Sequence, residues 1–150
     1  MSKRHPIIPP IYFFAALLAE GGLHLYAPVL AIVPAPFNLA GAPLVALGLT
    51  STLWAAGLFR RAGTPVRPFE QSTALVIAGI YRITRNPMYL GMVLVLLGVA
   101  VLFGTAAAFL PVPLFVWQIR RKFILPEEQF LEALFGQPYL DYKARVRRWI

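Results

Sequence analysis

The residues of this chain best suited to chemistry lie in a short junction, Gly79-Ile80-Tyr81-Arg82-Ile83-Thr84-Arg85-Asn86-Pro87-Met88-Tyr89-Leu90-Gly91, and in a carboxylate pair, Glu127-Glu128. In the junction, two arginines stand with Tyr81, Asn86 and Tyr89 just before an apolar stretch with Pro87 at its start. Unpaired backbone amides at a helix start, together with cations, suit an anionic group. Ionised Glu127 and Glu128 accept several hydrogen bonds, so they suit sugar hydroxyls or a cation. Plainer readings exist for the same residues: arginines at an apolar boundary mark topology, tyrosines anchor an interface, and acids in a first turn complement the helix dipole. Glu20 is a third candidate, because an acid within an apolar span costs on the order of 3 kcal/mol and demands a partner or a polar cavity. His24, four residues on and on the same helical face, is an available partner. A substrate-facing Glu20 and a structural Glu20–His24 pair both fit the spacing.

The elements that carry these residues are apolar. The 150 residues are 59% hydrophobic and only 13% charged, with mean hydropathy +0.68, against roughly 25% charged in soluble domains. This composition predicts one all-α integral membrane domain. Without cysteine there is no disulfide, thiolate nucleophile or cysteine metal site, and His5 and His24 are too few for a histidine-rich one. The net charge of +8 flanks apolar segments, which fits anionic lipid headgroups and argues against nucleic acid. Met1 to His5 followed by an apolar run imitates a signal peptide, but the run is long and contains Glu20, so a retained first span is expected.

Four apolar stretches give about four transmembrane helices: residues 7–33, 39–60, 87–103 and 105–122, the last two forming a hairpin that turns near Phe103-Gly104-Thr105. The 14 Lys and Arg residues fall at Lys3–Arg4, Arg60–Arg85, Arg120–Lys122 and Lys143–Arg148, and four crossings put every group on one side. Both termini and the candidate chemistry are then cytoplasmic, in a prokaryotic-type inner membrane. Residues 61–86 form a connector whose prolines, in Gly63-Thr64-Pro65-Val66-Arg67-Pro68-Phe69, favour an extended path. Residues 126–149 are expected to form amphipathic cytoplasmic helices, one starting at Pro126 and one near Pro138, with Tyr139, Tyr142 and Trp149 among basic residues at the headgroup layer. The chain has no G-x-G-x-x-G, Walker loop or H-E-x-x-H.

Several blocks occur in a distinctive order: Gly79 to Arg82, Arg85-Asn86-Pro87-Met88-Tyr89-Leu90-Gly91, an apolar hairpin, Glu127-Glu128, Phe135-Gly136, Tyr139, and Tyr142 to Arg145-Val146. In these blocks, spread over about Gly63 to Ile150, the chain resembles the isoprenylcysteine carboxyl methyltransferase family and its phospholipid methyltransferase relatives. The resemblance implies an S-adenosylmethionine-dependent membrane methyltransferase, releasing S-adenosylhomocysteine and acting on a lipophilic small molecule that arrives from the lipid. It implies cofactor contacts at Tyr81, Arg85, Asn86, Pro87, Tyr89, Glu127, Glu128 and Tyr139. For an acceptor carboxylate, Arg82, Arg120 and Arg121 are the candidate clamp, with Glu20 a candidate facing the acceptor. A phospholipid amine acceptor is the alternative, and a membrane protein keeping the fold without turnover is the non-enzyme reading. Two departures narrow the resemblance. Asn86 stands where the family commonly has histidine, so no histidine carries a proton there. Lys122 is the cation nearest before Glu127-Glu128, where eukaryotic members have arginine, and lysine lacks the bidentate fork.

Overall fold

A computed structural model describes residues 8–66 and 72–150. Lys3, Arg4, His5 and the connector residues Arg67, Pro68 and Phe69 fall outside them. The chain is all-α: α1 (Pro9–Tyr26), α2 (Gly41–Arg61), α3 (Pro87–Phe103), α4 (Pro111–Ile119), α5 (Leu125–Phe135) and α6 (Gln137–Arg145), with 3₁₀ turns at Phe37–Ala40, Gly79–Arg82 and Ala106–Phe109.

The expectation of about four transmembrane helices is overturned. Among the described residues, one helical stretch, Phe37–Arg61 with 25 residues, is long and apolar enough to cross a membrane. The others fall short for local reasons. Helix α1 ends at Tyr26 and carries Glu20, and an extended segment follows it. Helix α3 has 17 residues, about 25 Å at 1.5 Å per residue against a hydrocarbon core of roughly 30 Å. Helix α4 starts late, at Pro111 after a 3₁₀ turn, and has 9 residues before the helix runs into Arg120, Arg121 and Lys122, which end its apolar stretch. With one candidate span, the parity argument that put every basic group on one side no longer holds. The exterior remains apolar: Phe14, Leu18, Leu53, Trp54, Leu114 and Trp117 are all exposed, which is consistent with membrane association.

Pro126 does not open a new helix. The chain stays helical from Pro111 to Phe135, passing through a π-helical turn at Arg120–Ile124. A proline inside a helix removes one donor and crowds the carbonyl four residues back, here that of Lys122. The wider π turn accommodates both effects. Gly136, at φ 59° and ψ −130°, then reverses the chain into α6, a conformation open to glycine.

The closest packing joins α2 to α3. Gly41 and Gly48 lie seven residues apart on one helix, and Gly91 and Gly98 seven apart on the other. A Cβ on Gly48 would lie 2.5 Å from the Gly91 carbonyl oxygen, and one on Gly91 would lie 2.5 Å from the Gly48 carbonyl oxygen. Only hydrogen fits between the two backbones. Ser51 Oγ donates to the Pro87 carbonyl at 3.3 Å and Thr52 Oγ1 to the Met88 carbonyl at 3.4 Å, fixing the start of α3 against α2. Helix α1 packs on the other side, where Ala16 joins Leu96, Val112, Phe115 and Ile119 in the core.

His24 does not pair with Glu20. Its Nδ1 lies 3.3 Å from Thr105 Oγ1, and its ring stacks on Phe103. Glu20 is fully buried, and neither carboxylate oxygen has a hydrogen-bond partner among the described residues.

Two outcomes follow for stability, read as thermal melting in detergent. Gly91→Val forces α2 and α3 apart and should cost at least about 1–3 kcal/mol, whereas Gly57→Ala, with nothing within 4 Å of its Cβ, should be neutral or slightly stabilising. Glu20→Met removes a buried polar group without a partner, so it should raise the melting midpoint, by about 1–3 kcal/mol in stability terms. A fall in the midpoint would show that Glu20 has a partner in the folded protein.

Candidate active site

A cavity of about 320 Å³ opens where the start of α1, the end of α2, the connector, the junction, α5 and α6 meet. That volume lies at the lower end of the roughly 300–1,000 Å³ usual for small-molecule sites. All eight residues expected at a cofactor site line it: Tyr81, Arg85, Asn86, Pro87, Tyr89, Glu127, Glu128 and Tyr139. Arg82, Arg120, Arg121 and Glu20, expected near the acceptor, do not line it. Arg82, Arg120 and Arg121 are exposed, Arg121 stacking its guanidinium over Trp117. Lys122 also points elsewhere, donating to Tyr12 Oη at 2.8 Å.

The junction reaches the cavity through a 3₁₀ turn, Gly79–Arg82, that buries Tyr81 against Phe59, their rings 5.5 Å apart. Thr84 is almost wholly buried. Its Oγ1 donates to the Arg148 carbonyl at 3.2 Å and accepts from the Asn86 amide at 3.1 Å. Pro87 then takes the first position of α3, where a missing amide proton costs nothing. Asn86 does not cap α3 with its side chain; its Nδ2 donates to the Arg148 carbonyl at 3.0 Å.

The adjacent carboxylates have different surroundings. Glu128 is buried and accepts two bonds from one guanidinium, Arg148 Nε at 2.9 Å and Arg148 Nη2 at 2.8 Å. Arg85 Nη1 lies 3.3 Å from Glu128 Oε1, close enough for ionic attraction but without hydrogen-bond geometry. Among the described residues, Glu127 accepts only from Tyr89 Oη, at 3.3 Å. Burial raises its carboxyl to about 7; the Tyr89 bond opposes that shift and the charge of Glu128 adds to it. Burial likewise raises the Tyr81 phenol well above its ordinary range and the Tyr139 phenol to about 12, so both stay neutral donors.

Three buried donors lack partners among the described residues: Tyr81 Oη, Arg85 Nε and Arg85 Nη1. Orphaned donors of this kind are rare in a finished fold and indicate a missing acceptor. The cavity wall thus offers donors for an anionic group, a carboxylate for a cation or hydroxyls, and aromatic faces from Tyr81, Tyr89 and Tyr139. Ile8, Pro9, Pro10, Met88, Met92 and Leu131 supply its apolar side.

In the tail, Tyr139 lines the cavity as the resemblance implies, and Tyr142 joins it there instead of at a headgroup layer; the two are only 2% and 5% exposed, and Tyr142 Oη donates to the Tyr81 carbonyl at 2.7 Å. Their spacing of three, one face of a helix, was the available signal. Thr84 and Arg148 had none, since their roles depend on partners far along the chain.

An uncharacterised protein of Haemophilus influenzae is 41% identical over 63 residues, which is 42% of this chain and all of that protein. Protein-S-isoprenylcysteine O-methyltransferase A of Arabidopsis thaliana is 32% identical over 78 residues, 52% of this chain and 40% of the relative. The Schizosaccharomyces pombe protein-S-isoprenylcysteine O-methyltransferase is 35% identical over 72 residues, 48% of this chain and 30% of the relative. The chain therefore matches less than half the length of these named methyltransferases. No solved structure matches it. The phospholipid methyltransferase profile matches residues 37–138, from the start of the candidate span through both carboxylates, and so the chain belongs to the phospholipid methyltransferase family.

Proposed function

We propose that the chain is a single membrane-associated methyltransferase unit whose cavity binds S-adenosylmethionine and passes its methyl group to a lipophilic acceptor. One observation carries the reading: unsatisfied donors on Tyr81 and Arg85 and the lightly bonded carboxylate of Glu127 face one cavity of ligand size. When bound, S-adenosylmethionine supplies an electrophilic methyl carbon on a positively charged sulfur. Arg85 and Tyr81 would hold its carboxylate, and Glu127 would accept from its ammonium or ribose hydroxyls. The faces of Tyr81, Tyr89 and Tyr139 favour a sulfonium by about 1–2 kcal/mol when water is excluded. Their chief contribution is alignment, since a displacement in line needs nucleophile, methyl and leaving sulfur held on one axis. The apolar side supports an acceptor with a hydrocarbon portion entering beside the start of α1.

An amine acceptor, as in phospholipid methylation, is favoured over a carboxylate by a specific observation. Arg85 is the only Lys or Arg among the described lining residues, and it already faces Glu128. A carboxylate acceptor would compete with the cofactor for that cation. An amine must lose a proton, and a Glu127 carboxyl raised to about 7 by burial supports its acting as the base through the oxygen the cofactor does not engage.

Incubating the purified protein with methyl-labelled cofactor and a bacterial lipid extract should label a lipid, and its identity names the acceptor. In calorimetry, Tyr89→Ala and Glu127→Ala should each weaken S-adenosylmethionine binding about tenfold or more, as expected for loss of a charge-assisted bond. Binding equal to wild type in both variants would remove these residues from the site.

The pH dependence has a definite sign. Only ionised Glu127 accepts from cationic or hydroxyl donors with both oxygens, so affinity should rise several-fold between about pH 6 and pH 8 and then level off. Glu127→Gln should abolish the slope. The ligand-free protein should behave oppositely. A carboxyl raised from 4.5 to about 7 by folding takes up protons in the fold, and its contribution to stability is lost as pH rises through 7. A wild-type affinity that is flat with pH would exclude Glu127 from ligand contact.

A further inference from the structure

We propose that the C-terminal segment Val146–Trp149 is a strap that sets the cofactor pocket, and that Arg148 is its positioning residue. The inference rests on the cofactor reading above. Three consecutive junction residues donate to two consecutive strap carbonyls: the Arg85 amide to Arg147 at 3.0 Å, and Thr84 Oγ1 and Asn86 Nδ2 to Arg148 at 3.2 and 3.0 Å. The Arg148 side chain continues from that anchored backbone and closes on Glu128 with two bonds. Trp149 packs on the core cluster, so the strap is fastened on both sides of Arg148. The strap itself, Val146–Trp149, lies beyond residues 37–138 matched by the family profile, whereas Thr84, Arg85, Asn86 and Glu128 lie within them.

The geometry has a consequence for Arg85. A buried carboxylate with a single guanidinium neighbour would draw that guanidinium into a fork-shaped pair. Here Arg148 takes both oxygens of Glu128, and Arg85 Nε and Nη1 remain buried and unsatisfied at the cavity. Arg148 thus frees Arg85 for the ligand's carboxylate. It also neutralises Glu128, so that Glu127 is the lining carboxylate without a cationic partner among the described residues. Without Arg148, Arg85 collapses onto Glu128, and the pocket loses its donor for an anionic group while keeping its lining.

The test is S-adenosylmethionine affinity by calorimetry in detergent, with melting midpoints measured on the same samples. Arg148→Ala should raise Kd about tenfold or more. Arg148→Lys should fall between, because an ammonium cannot satisfy both oxygens in one plane. Gly98→Ala, which crowds α2 against α3, is the control: its midpoint should fall with Kd unchanged. Decarboxylated S-adenosylmethionine is the second probe. It lacks the group Arg85 would hold, so Arg148→Ala should weaken its binding less than that of the parent compound. Equal Kd in wild type and Arg148→Ala, or equal losses for the two compounds, would overturn the strap's role. Should Arg148→Ala not fold, Arg148→Lys carries the same comparison. A wild-type protein that binds neither compound would refute the cofactor reading, and the strap's role with it; wild-type binding that Arg148→Ala leaves unchanged would refute the strap alone.

Discussion

The carboxylate of Glu128 is the point on which the cavity depends. It is a buried charge, and an uncompensated one would cost several kcal/mol. It is held between two guanidiniums, Arg148 in a two-bond fork and Arg85 at ionic distance. Through those contacts α5, the junction before α3 and the segment after α6 become one body. The Thr84, Arg85 and Asn86 bonds to strap carbonyls and the Tyr142 bond to the Tyr81 carbonyl reinforce it.

A second constraint is steric. Hydrogen is the only side chain small enough between Gly48 and Gly91, and the Gly41–Gly98 contact repeats the arrangement two turns away. Close backbone approach of this kind is how apolar helices gain contact where no hydrophobic effect drives them together. The Gly48–Gly91 contact, one turn into α3, fixes the start of that helix and hence the direction in which Asn86, Pro87 and Tyr89 enter the cavity, while Gly41–Gly98 lies at the far end. The outer faces of α1, α2 and α4 stay apolar and exposed, so the fold reserves its polar bonding for the end where the junction and tail meet.

The helical class, the apolar exterior and the ordered blocks that mark the family were legible in the residues. Eight of the residues that line the cavity belong to those blocks, while Arg82, Arg120, Arg121 and Glu20 lie elsewhere. The number of spans was not legible. Residues 105–122 read as the short second arm of a hairpin and as a fourth span, while a 3₁₀ turn takes Ala106–Phe109 and nine α-helical residues precede the π turn. The continuous helix through Pro126 was also hidden, since a π turn that tolerates proline has no signature in composition. His24 stood one helical turn from Glu20 yet turned to Thr105 and Phe103, because side-chain partners are chosen among neighbours in space.

The sequence by itself determined that this chain would build apolar helices, carry no thiol chemistry, and bring an Arg-Asn-Pro junction and a Glu-Glu pair of the methyltransferase type. Tertiary structure alone decided which carboxylate is engaged and which remains available. Glu127 and Glu128 are adjacent and chemically alike, and helix geometry turns them about 100° apart. One meets Arg148, carried back by the reversal at Gly136; the other, among the described residues, meets a phenol, that of Tyr89. That difference comes from where a guanidinium 20 residues downstream is held, a distance that local pattern does not span.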